Sequence, residues 1–310
     1  MGAEVPVFSV VLPTYNRPDR LNQFLESLTR LNYPPDQFEV VLVDDGSELP
    51  LRPVVERFRG RLHVTLLRQE HGGVARGRDL AAETARGRYL AFTDDDCGPS
   101  PDWLRCLEDA LKTVPACAAG GHTVNGLPAN PYSEASQAII TFVYSKLNAD
   151  RRRARFFTGN NVAMPRDQFL AMGGLDWKWP FCGEDRNFCD RWLARGYPLV
   201  YAPDAIISHF HDLTLRRFWR QHYNYGRGAH WFHRLSLGRE SAEGRFESLP
   251  YYTGMLFCAF RRMRPLRAVL VTALIILSQV ASLAGMLKER FRPTAGVCLL
   301  YTSPSPRDRT

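Results

Sequence analysis

Short apolar runs alternate with amphipathic helical segments along the first third of the chain. The apolar runs, which are typical of buried strands, lie within residues 7–12, 38–43, 62–70 and 89–92. Apolar side chains recur at helical spacing between the first two runs, at Leu21, Phe24, Leu25 and Leu28. A further helix is predicted over residues 74–85. This strand–helix rhythm predicts a doubly wound α/β fold with a parallel sheet.

Acidic residues directly follow two of these runs. Asp44 and Asp45 come after the second run, and Asp94, Asp95 and Asp96 come after the fourth. Because the carboxyl ends of parallel strands meet at one edge of a sheet, where α/β proteins bind ligands, we expect these carboxylates to face a common site. Taken alone, the three consecutive aspartates fit a solvated turn with an Asp helix cap equally well.

The second half of the chain has a mixed pattern and contains a third acidic pair. Glu184 and Asp185 open a predicted helix, and His209 ends a strand-like stretch. Carboxylate oxygens suit Mg²⁺ or Mn²⁺, and an imidazole favours Mn²⁺. A divalent ion held in this way binds a diphosphate, and a separate carboxylate can deprotonate an acceptor hydroxyl. The alternative for Glu184 and Asp185 is a charge pair that the helix dipole favours.

The composition is that of a globular protein with a basic surplus. The 310 residues carry a formal net charge of +8, with arginine clusters at 151–155, 216–220 and 261–267. Such clusters bind nucleic acid, anionic lipid or phosphate-bearing substrates, but no aromatic-interleaved basic motif supports nucleic acid. The seven cysteines form no CxxC pair, which predicts reduced thiols in a cytosolic compartment. Residues 1–7 lack the pattern of a signal peptide.

The C-terminal region contains an uncharged segment of twenty residues, 268–287, just long enough to cross a bilayer as a helix. Its polar side chains, with basic residues on both sides, leave a buried core helix as the alternative. The stretch before it, from Tyr251, has the composition of an interfacial segment. Residues 297–310 resemble translated sequencing-adapter read-through and are interpreted as an artefact, so we expect the natural protein to continue beyond about residue 296.

Six motifs, taken in order, resemble the inverting family 2 glycosyltransferases of the GT-A fold. They are "SVVLPTYNRPDRL", "VVLVDDGS", "ARGRYLAFTDDDCGP", "FTGNNVAMPRDQFLAMGGLD", "GEDRNFCDRWLARGY" and "VYAPDAIISH". The resemblance covers roughly residues 8–228. It implies a Rossmann-like, mixed but mostly parallel sheet flanked by helices. The domains we expect are a catalytic domain over 1–235 and an interfacial or transmembrane region over 236–296.

The resemblance also implies a role for each matching position. Glu184 and Asp185 would be catalytic, with Asp185 as the general base and Glu184 positioning the acceptor. Asp96 and His209 would hold Mn²⁺ or Mg²⁺. The nucleotide-sugar site would comprise Pro13, Thr14, Tyr15, Asp44, Asp45, Arg76, Asp94 and Asp95. Tyr15 and one of the two aspartates Asp44 and Asp45 would contact the base, and Arg76 would approach the diphosphate. Trp177 and Trp179 could stack on an acceptor sugar, with core packing as the alternative.

The implied reaction is the transfer of one sugar from a UDP-, dTDP- or GDP-sugar to a saccharide, lipid-linked or other hydroxyl acceptor. We expect it to serve cell-envelope or exopolysaccharide biosynthesis at the cytoplasmic face of a bacterial inner membrane, with no nucleic acid partner. The motif A-R-N-x-G, frequent in the family, is absent, since residues 75–79 read "ARGRD". The signature of processive synthases, Q-x-x-R-W, is incomplete after Gln221. A processive polysaccharide synthase and a non-catalytic carbohydrate-binding relative remain as alternatives.

Overall fold

The computed structural model describes residues 5–175, 182–236 and 248–293. The strands in these residues are β1 (Phe8–Thr14), β2 (Phe38–Asp44), β3 (Val64–Arg68), β4 (Tyr89–Phe92), β5 (Cys97–Pro99), β6 (Ala118–Asn125), β7 (Val162–Pro165) and β8 (Leu199–His209). The helices are α1 (Pro18–Leu28), α2 (Arg52–Glu56), α3 (Val74–Thr84), α4 (Trp103–Thr113), α5 (Pro131–Leu147), α6 (Arg166–Ala171), α7 (Glu184–Ala194), α8 (Leu215–Ser236), α9 (Leu249–Leu256) and α10 (Pro265–Phe291). A 3₁₀ turn spans Cys258–Arg261.

All eight strands form one sheet in the order β3-β2-β1-β4-β7-β6-β8-β5. The first four neighbours, from β3 to β4, are parallel, as the strand–helix rhythm predicts. The wholly parallel sheet that the rhythm alone predicts is wrong, however, because β7 runs antiparallel to both β4 and β6, and β5 runs antiparallel to β8. The mixed, mostly parallel sheet of the GT-A expectation describes the architecture.

Both faces of the sheet are covered, which explains why β1 and β2 read as continuous apolar runs. Alternate residues of each strand enter separate cores. Val10 and Leu12 pack with the apolar side of α1 in one core, whereas Val11 packs with Ala81 and Ala82 of α3 in the other. The predicted apolar stripe of α1 is confirmed, since all four of its positions are buried.

A buried asparagine just before β7 connects helix α4 with strands β6 and β8. The Asn161 side chain accepts a hydrogen bond from Trp103 Nε1 at 2.9 Å and donates to the carbonyl oxygens of His122 and Ala205. These partners lie on α4, β6 and β8. A buried amide that is fully hydrogen-bonded fixes the relative positions of its neighbours, because breaking any one contact leaves a polar group unsatisfied.

The chain divides into two compact units, and the division falls after Asp212. The first unit contains the sheet and helices α1–α7, and the second contains α8–α10 together with residues 182–183. The predicted domain boundary at residue 235 stays a prediction. The uncharged segment of 268–287 lies within α10, which by length and composition alone is able to cross a membrane.

Helices α8 and α10 of the second unit are in backbone contact. A Cβ atom added at Gly226 would lie 1.8 Å from the Ser282 carbonyl oxygen, and one at Gly285 would lie 2.0 Å from that of Tyr223. Arg227 Nε donates to the fully buried Glu289 carboxylate at 2.7 Å. Small residues therefore allow the close approach, and the ion pair fixes how α8 sits along α10.

Candidate active site

The carboxyl ends of β1, β2 and β4 meet at one edge of the sheet. Thr14 lies in register with Asp44, and Val11 lies in register with Phe92, so the polar residues after each strand converge. The Thr14 hydroxyl donates to Asp95 Oδ2 at 2.6 Å, which joins two of these strand ends directly. The prediction that the strand ends share one edge is therefore confirmed.

Each of the three consecutive aspartates contacts at least one basic side chain. Asp94 Oδ1 lies 2.6 Å from Arg78 Nη2. Arg17 Nη1 bridges the other two, at 3.0 Å from Asp95 Oδ1 and 3.2 Å from Asp96 Oδ2. Asp96 Oδ1 also lies 3.2 Å from His209 Nε2. Two arginines and one histidine thus offset the repulsion that three adjacent carboxylates would otherwise suffer.

The charge states within this triplet differ. Burial raises the pKa of Asp95 to about 6, despite the Thr14 hydrogen bond and the charge of Arg17. Burial alone would also raise the pKa of Asp96, but the hydrogen bond from His209 and the charges of His209 and Arg17 hold it well below its usual range. Asp96 is consequently the member of the pair that stays ionised through the neutral range.

Asp96 and His209 also belong to a cluster that could hold a metal ion. Their ligand atoms and Cys97 Sγ all lie within 4.8 Å of one another. Burial raises the pKa of the Cys97 thiol well above its usual value, so this sulfur stays protonated and is a poor ligand. The remaining oxygen and nitrogen donors suit Mn²⁺ or Mg²⁺, so the residues present fit the predicted cation.

The predicted base-binding residues surround the ends of β1 and β2. The Tyr15 ring is 40% exposed and lies 4.3 Å from the His71 ring, centroid to centroid. The Asp45 carboxylate is buried and accepts the backbone N–H groups of Gly72 and Gly73 at 2.8 and 3.0 Å. Asp45 therefore shapes the loop that carries His71, beside the exposed face of Tyr15.

Asp44, Pro13 and Arg76 occupy different environments. The buried Asp44 carboxylate accepts from Arg68 at 2.6 Å and from the Ser47 N–H at 2.8 Å, so internal partners already engage both oxygens. Pro13 is buried against Gly77, where an added Cβ would lie 2.8 Å from the proline Cβ. Arg76 is exposed on the first turn of α3. Their roles toward a nucleotide stay predictions.

Glu184 and Asp185 open α7 within the first unit. The Arg186 N–H donates to Asp185 Oδ1 at 2.7 Å, and the Gly159 N–H lies 3.4 Å from Asp185 Oδ2. Burial and the negative charge of Glu184 raise the pKa of Asp185 to about 7, despite these N–H groups and the charge of Arg78. A carboxyl group that titrates near neutrality is suited to accept a proton from a hydroxyl group. The predicted acceptor residues Trp177 and Trp179 lie outside the described residues.

Sequence reasoning missed two arginines, Arg17 and Arg78. Arg17 lies directly before α1 and contacts two of the strand-end aspartates. Arg78 is 3% exposed on the face of α3 that also contains Gly77, Ala81 and Ala82. A charged residue in phase with small buried residues is a signal for a functional arginine, because an unpaired guanidinium would not be buried there.

A family model described as Glycosyl transferase family 2 matches residues 9–172, just over half of the chain. Among curated proteins, glycosyltransferase AglE of Haloferax volcanii is 26% identical over 70% of this chain and 73% of its own length. Validoxylamine A glucosyltransferase of Streptomyces hygroscopicus is 29% identical over 66% of this chain but only 51% of its own length. Staphylococcus aureus TarS, a poly(ribitol-phosphate) β-N-acetylglucosaminyltransferase, is 37% identical over 52% of this chain and 30% of its own length. The chain thus spans only part of these relatives.

Solved structures share the fold. The mannosyltransferase PcManGT from Pyrobaculum calidifontis, in complex with GDP-Man and Mn²⁺, superposes with a TM-score of 0.68 at 18% identity, covering 94% of this chain and 89% of that one. The structure of S. aureus TarS residues 1–349 in complex with UDP superposes with a TM-score of 0.51 at 18% identity, covering 92% of this chain and 91% of that one. At these identities the likeness establishes the architecture alone.

Proposed function

The chain belongs to glycosyl transferase family 2, and on that premise we propose that this GT-A glycosyltransferase moves a single sugar from a nucleoside-diphosphate sugar to a hydroxyl acceptor, with inversion. The observation that carries the proposal is the half-buried pair Glu184–Asp185, in which the pKa of Asp185 is raised to about 7. Arg78 connects this pair to the strand-end aspartates. A base and a diphosphate-binding edge in one unit are what a direct displacement needs.

In the proposed reaction, Asp185 accepts the proton of the acceptor hydroxyl while the oxygen attacks the anomeric carbon of the donor. The bond between that carbon and the phosphate oxygen breaks, and the leaving nucleoside diphosphate keeps the electron pair. Attack from the side opposite the leaving group inverts the anomeric centre. No covalent sugar–enzyme intermediate forms, so a single carboxylate is enough.

The leaving group must be stabilised as charge develops on the diphosphate. Asp96 and His209 would hold the divalent cation, which when bound neutralises part of this charge. Arg17 already contacts Asp95 and Asp96 and offers a fixed positive charge beside them. Arg76, exposed at the start of α3, is a second candidate for the diphosphate.

The donor nucleotide is proposed to lie along the ends of β1 and β2. The exposed Tyr15 ring, already paired with His71, offers a stacking surface for a base. Pro13 and Thr14 border this surface, with Asp45 or Asp44 beneath it and Asp94 and Asp95 nearer the sugar. UDP-, dTDP- and GDP-sugars remain the donor candidates.

The chain is a glycosyltransferase whose relatives act in glycan biosynthesis, and we propose a saccharide or lipid-linked acceptor in cell-envelope or exopolysaccharide synthesis. Trp177 and Trp179 are proposed to contact the acceptor. The incomplete Q-x-x-R-W signature favours single transfer over processive synthesis. The acidic residues at the metal and base positions favour a catalytic over a non-catalytic protein.

We propose that the second unit binds a membrane, at the cytoplasmic face, with α10 in the plane of the interface. One face of α10 is exposed and apolar, at Leu266, Val269, Ala273, Ile276, Val280, Leu283 and Leu287. The other face is fixed to α8, which exposes Arg216, Arg217 and Arg220. A spanning α10 would draw these arginines toward the hydrocarbon, at a cost of at least ~2.5 kcal/mol for each one that reaches its centre. An in-plane helix leaves them among anionic headgroups.

The proposed reaction can be tested without knowing the acceptor. The protein is incubated with Mn²⁺ and a panel of nucleotide sugars, and slow hydrolysis is followed by release of the nucleoside diphosphate. We expect one donor to stand out and its hydrolysis to require the cation. Absence of release from every donor, in protein that remains folded, would contradict the proposal.

A further inference from the structure

Arg78 is a buried arginine that contacts carboxylates from two separate parts of the active site. It extends from α3, and its Nη2 atom lies 2.6 Å from Asp94 Oδ1 at the end of β4. Its Nη1 atom lies 3.8 Å from Glu184 Oε1 at the start of α7. Burial would lower the pKa of Arg78, but the charges of Asp94, Glu184 and Asp185 raise it. The guanidinium is therefore charged and surrounded by three carboxylates.

Gly159 lies against both Arg78 and Asp185. A Cβ atom at Gly159 would lie 2.5 Å from Arg78 Nη1, so a side chain at this position would displace the guanidinium. The N–H of the same glycine lies 3.4 Å from Asp185 Oδ2. The loop before β7 thus fixes the space between the arginine and the proposed base from one side.

The neighbouring residue, Asp79, contacts residues 174 and 175, which follow α6. Its carboxylate accepts the Leu175 N–H at 2.8 Å, and an added Cβ at Gly174 would lie 2.6 Å from Asp79 Oδ1. Arg78 and Asp79 are consecutive, so one turn of α3 contacts the donor-side aspartate, the start of α7 and residues 174–175. This turn is placed to keep these parts in a fixed arrangement.

We propose that Arg78 is a positioning residue that holds the donor-side carboxylate Asp94 and the acceptor-side pair Glu184–Asp185 at a fixed separation. This inference rests on the proposed function, because it assumes that Asp185 is the base. Without the positive charge of Arg78, the mutual repulsion of the carboxylates of Asp94, Glu184 and Asp185 would be less well compensated. The base would then be displaced and harder to ionise.

The test compares Arg78→Gln with Arg78→Lys, once a donor and an acceptor are known. Arg86→Gln is the matched control, because Arg86 pairs with Glu39 at 2.7 Å and touches no proposed site residue. Urea denaturation and nucleotide titration first establish that each variant is folded and binds the donor nucleotide. The values of kcat and KM are then measured from pH 5 to 9.

The groups facing Asp185 are Glu184 and Cys189 on α7, Tyr144 on α5 and Arg78 on α3. Burial raises the pKa values of Cys189 and Tyr144, so both stay protonated over this range. For Arg78→Gln we expect a roughly 10- to 100-fold lower kcat, with a donor KM within about threefold of the parent. The acid limb of the kcat profile should move up by about one pH unit. Arg78→Lys should restore much of the kcat and most of the position of the acid limb. Arg86→Gln should change neither the kcat nor the acid limb.

Three results would overturn the inference. An unshifted acid limb in folded Arg78→Gln would reduce Arg78 to a structural role. A large rise in donor KM with an unshifted limb would make it a substrate contact. If neither Arg78 variant folds, Gly159→Ala, whose Cβ atom would displace the Arg78 guanidinium, must raise the acid limb; an unchanged limb in that folded variant then overturns the inference. Failure of the proposed function is distinguishable, because Asp185→Asn would then transfer sugar at the parent rate.

Discussion

The substitution Asp185→Asn should improve the stability of the protein while abolishing its proposed activity. The pKa of Asp185 is about 7 in the folded protein and ~3.9 in an unfolded chain. Because the folded-state value is higher, ionising Asp185 opposes folding. The destabilisation is absent below about pH 4, grows as the pH rises, and is complete above about pH 7. At ~1.4 kcal/mol for each pH unit, its upper limit is about 4 kcal/mol.

Asparagine keeps the shape of the side chain but never ionises. We therefore expect Asp185→Asn to raise the urea midpoint at pH 8.5 by the equivalent of up to about 4 kcal/mol, and at pH 4.5 by the equivalent of only about 1 kcal/mol. The control Asp167→Asn alters an aspartate whose side chain is 95% exposed and should change neither midpoint. In transfer assays the site variant should be at least about 100-fold slower, because its base is gone.

Two results would refute this reasoning. Equal stabilisation at both pH values would mean that the gain comes from packing, so that Asp185 is not held against ionisation. Turnover near the parent rate would assign the base elsewhere, with Glu184 and then Asp95 as candidates. In the parent enzyme, kcat should also fall as the pH drops below about 7, since Asp185 must be ionised to accept a proton.

Three further predictions concern other parts of the chain. Asp96→Ala should remove the Mn²⁺ dependence of UDP binding, measured by calorimetry with Mn²⁺ and with chelator; equal affinities for parent and variant in both conditions would rule out the proposed cation site. Leu283→Asp should lower co-flotation with phosphatidylglycerol vesicles several-fold, whereas Leu49→Asp, at an exposed leucine of the first unit, should not; flotation unchanged by Leu283→Asp would mean that the exposed face of α10 does not contact lipid. Gly226→Ala should destabilise the second unit by about 1–3 kcal/mol in thermal unfolding, because its Cβ atom would meet the Ser282 carbonyl; an unchanged midpoint would show that α8 and α10 separate easily.

The sequence by itself determined the first half of the sheet and the location of the site. The runs at β1, β2 and β4 are apolar on both faces because cores cover both sides of the sheet. Parallel strands separated by helices must end at one edge, so the position of Asp94, Asp95 and Asp96 followed from local pattern alone. The helices α1 and α3 were also predicted, because their buried positions recur at helical spacing.

Only the tertiary structure decided how the later strands pair and which charges meet. The insertion of β7 antiparallel between β4 and β6 depends on pairing with segments more than forty residues away in the chain, which no local period encodes. The same holds for Arg78. The burial of Arg78 follows from its place on the same helical face of α3 as the small buried residues. Its contact with Glu184, however, joins positions more than a hundred residues apart in the chain. Burial, which sets the pKa of Asp185, arises only when those segments fold together.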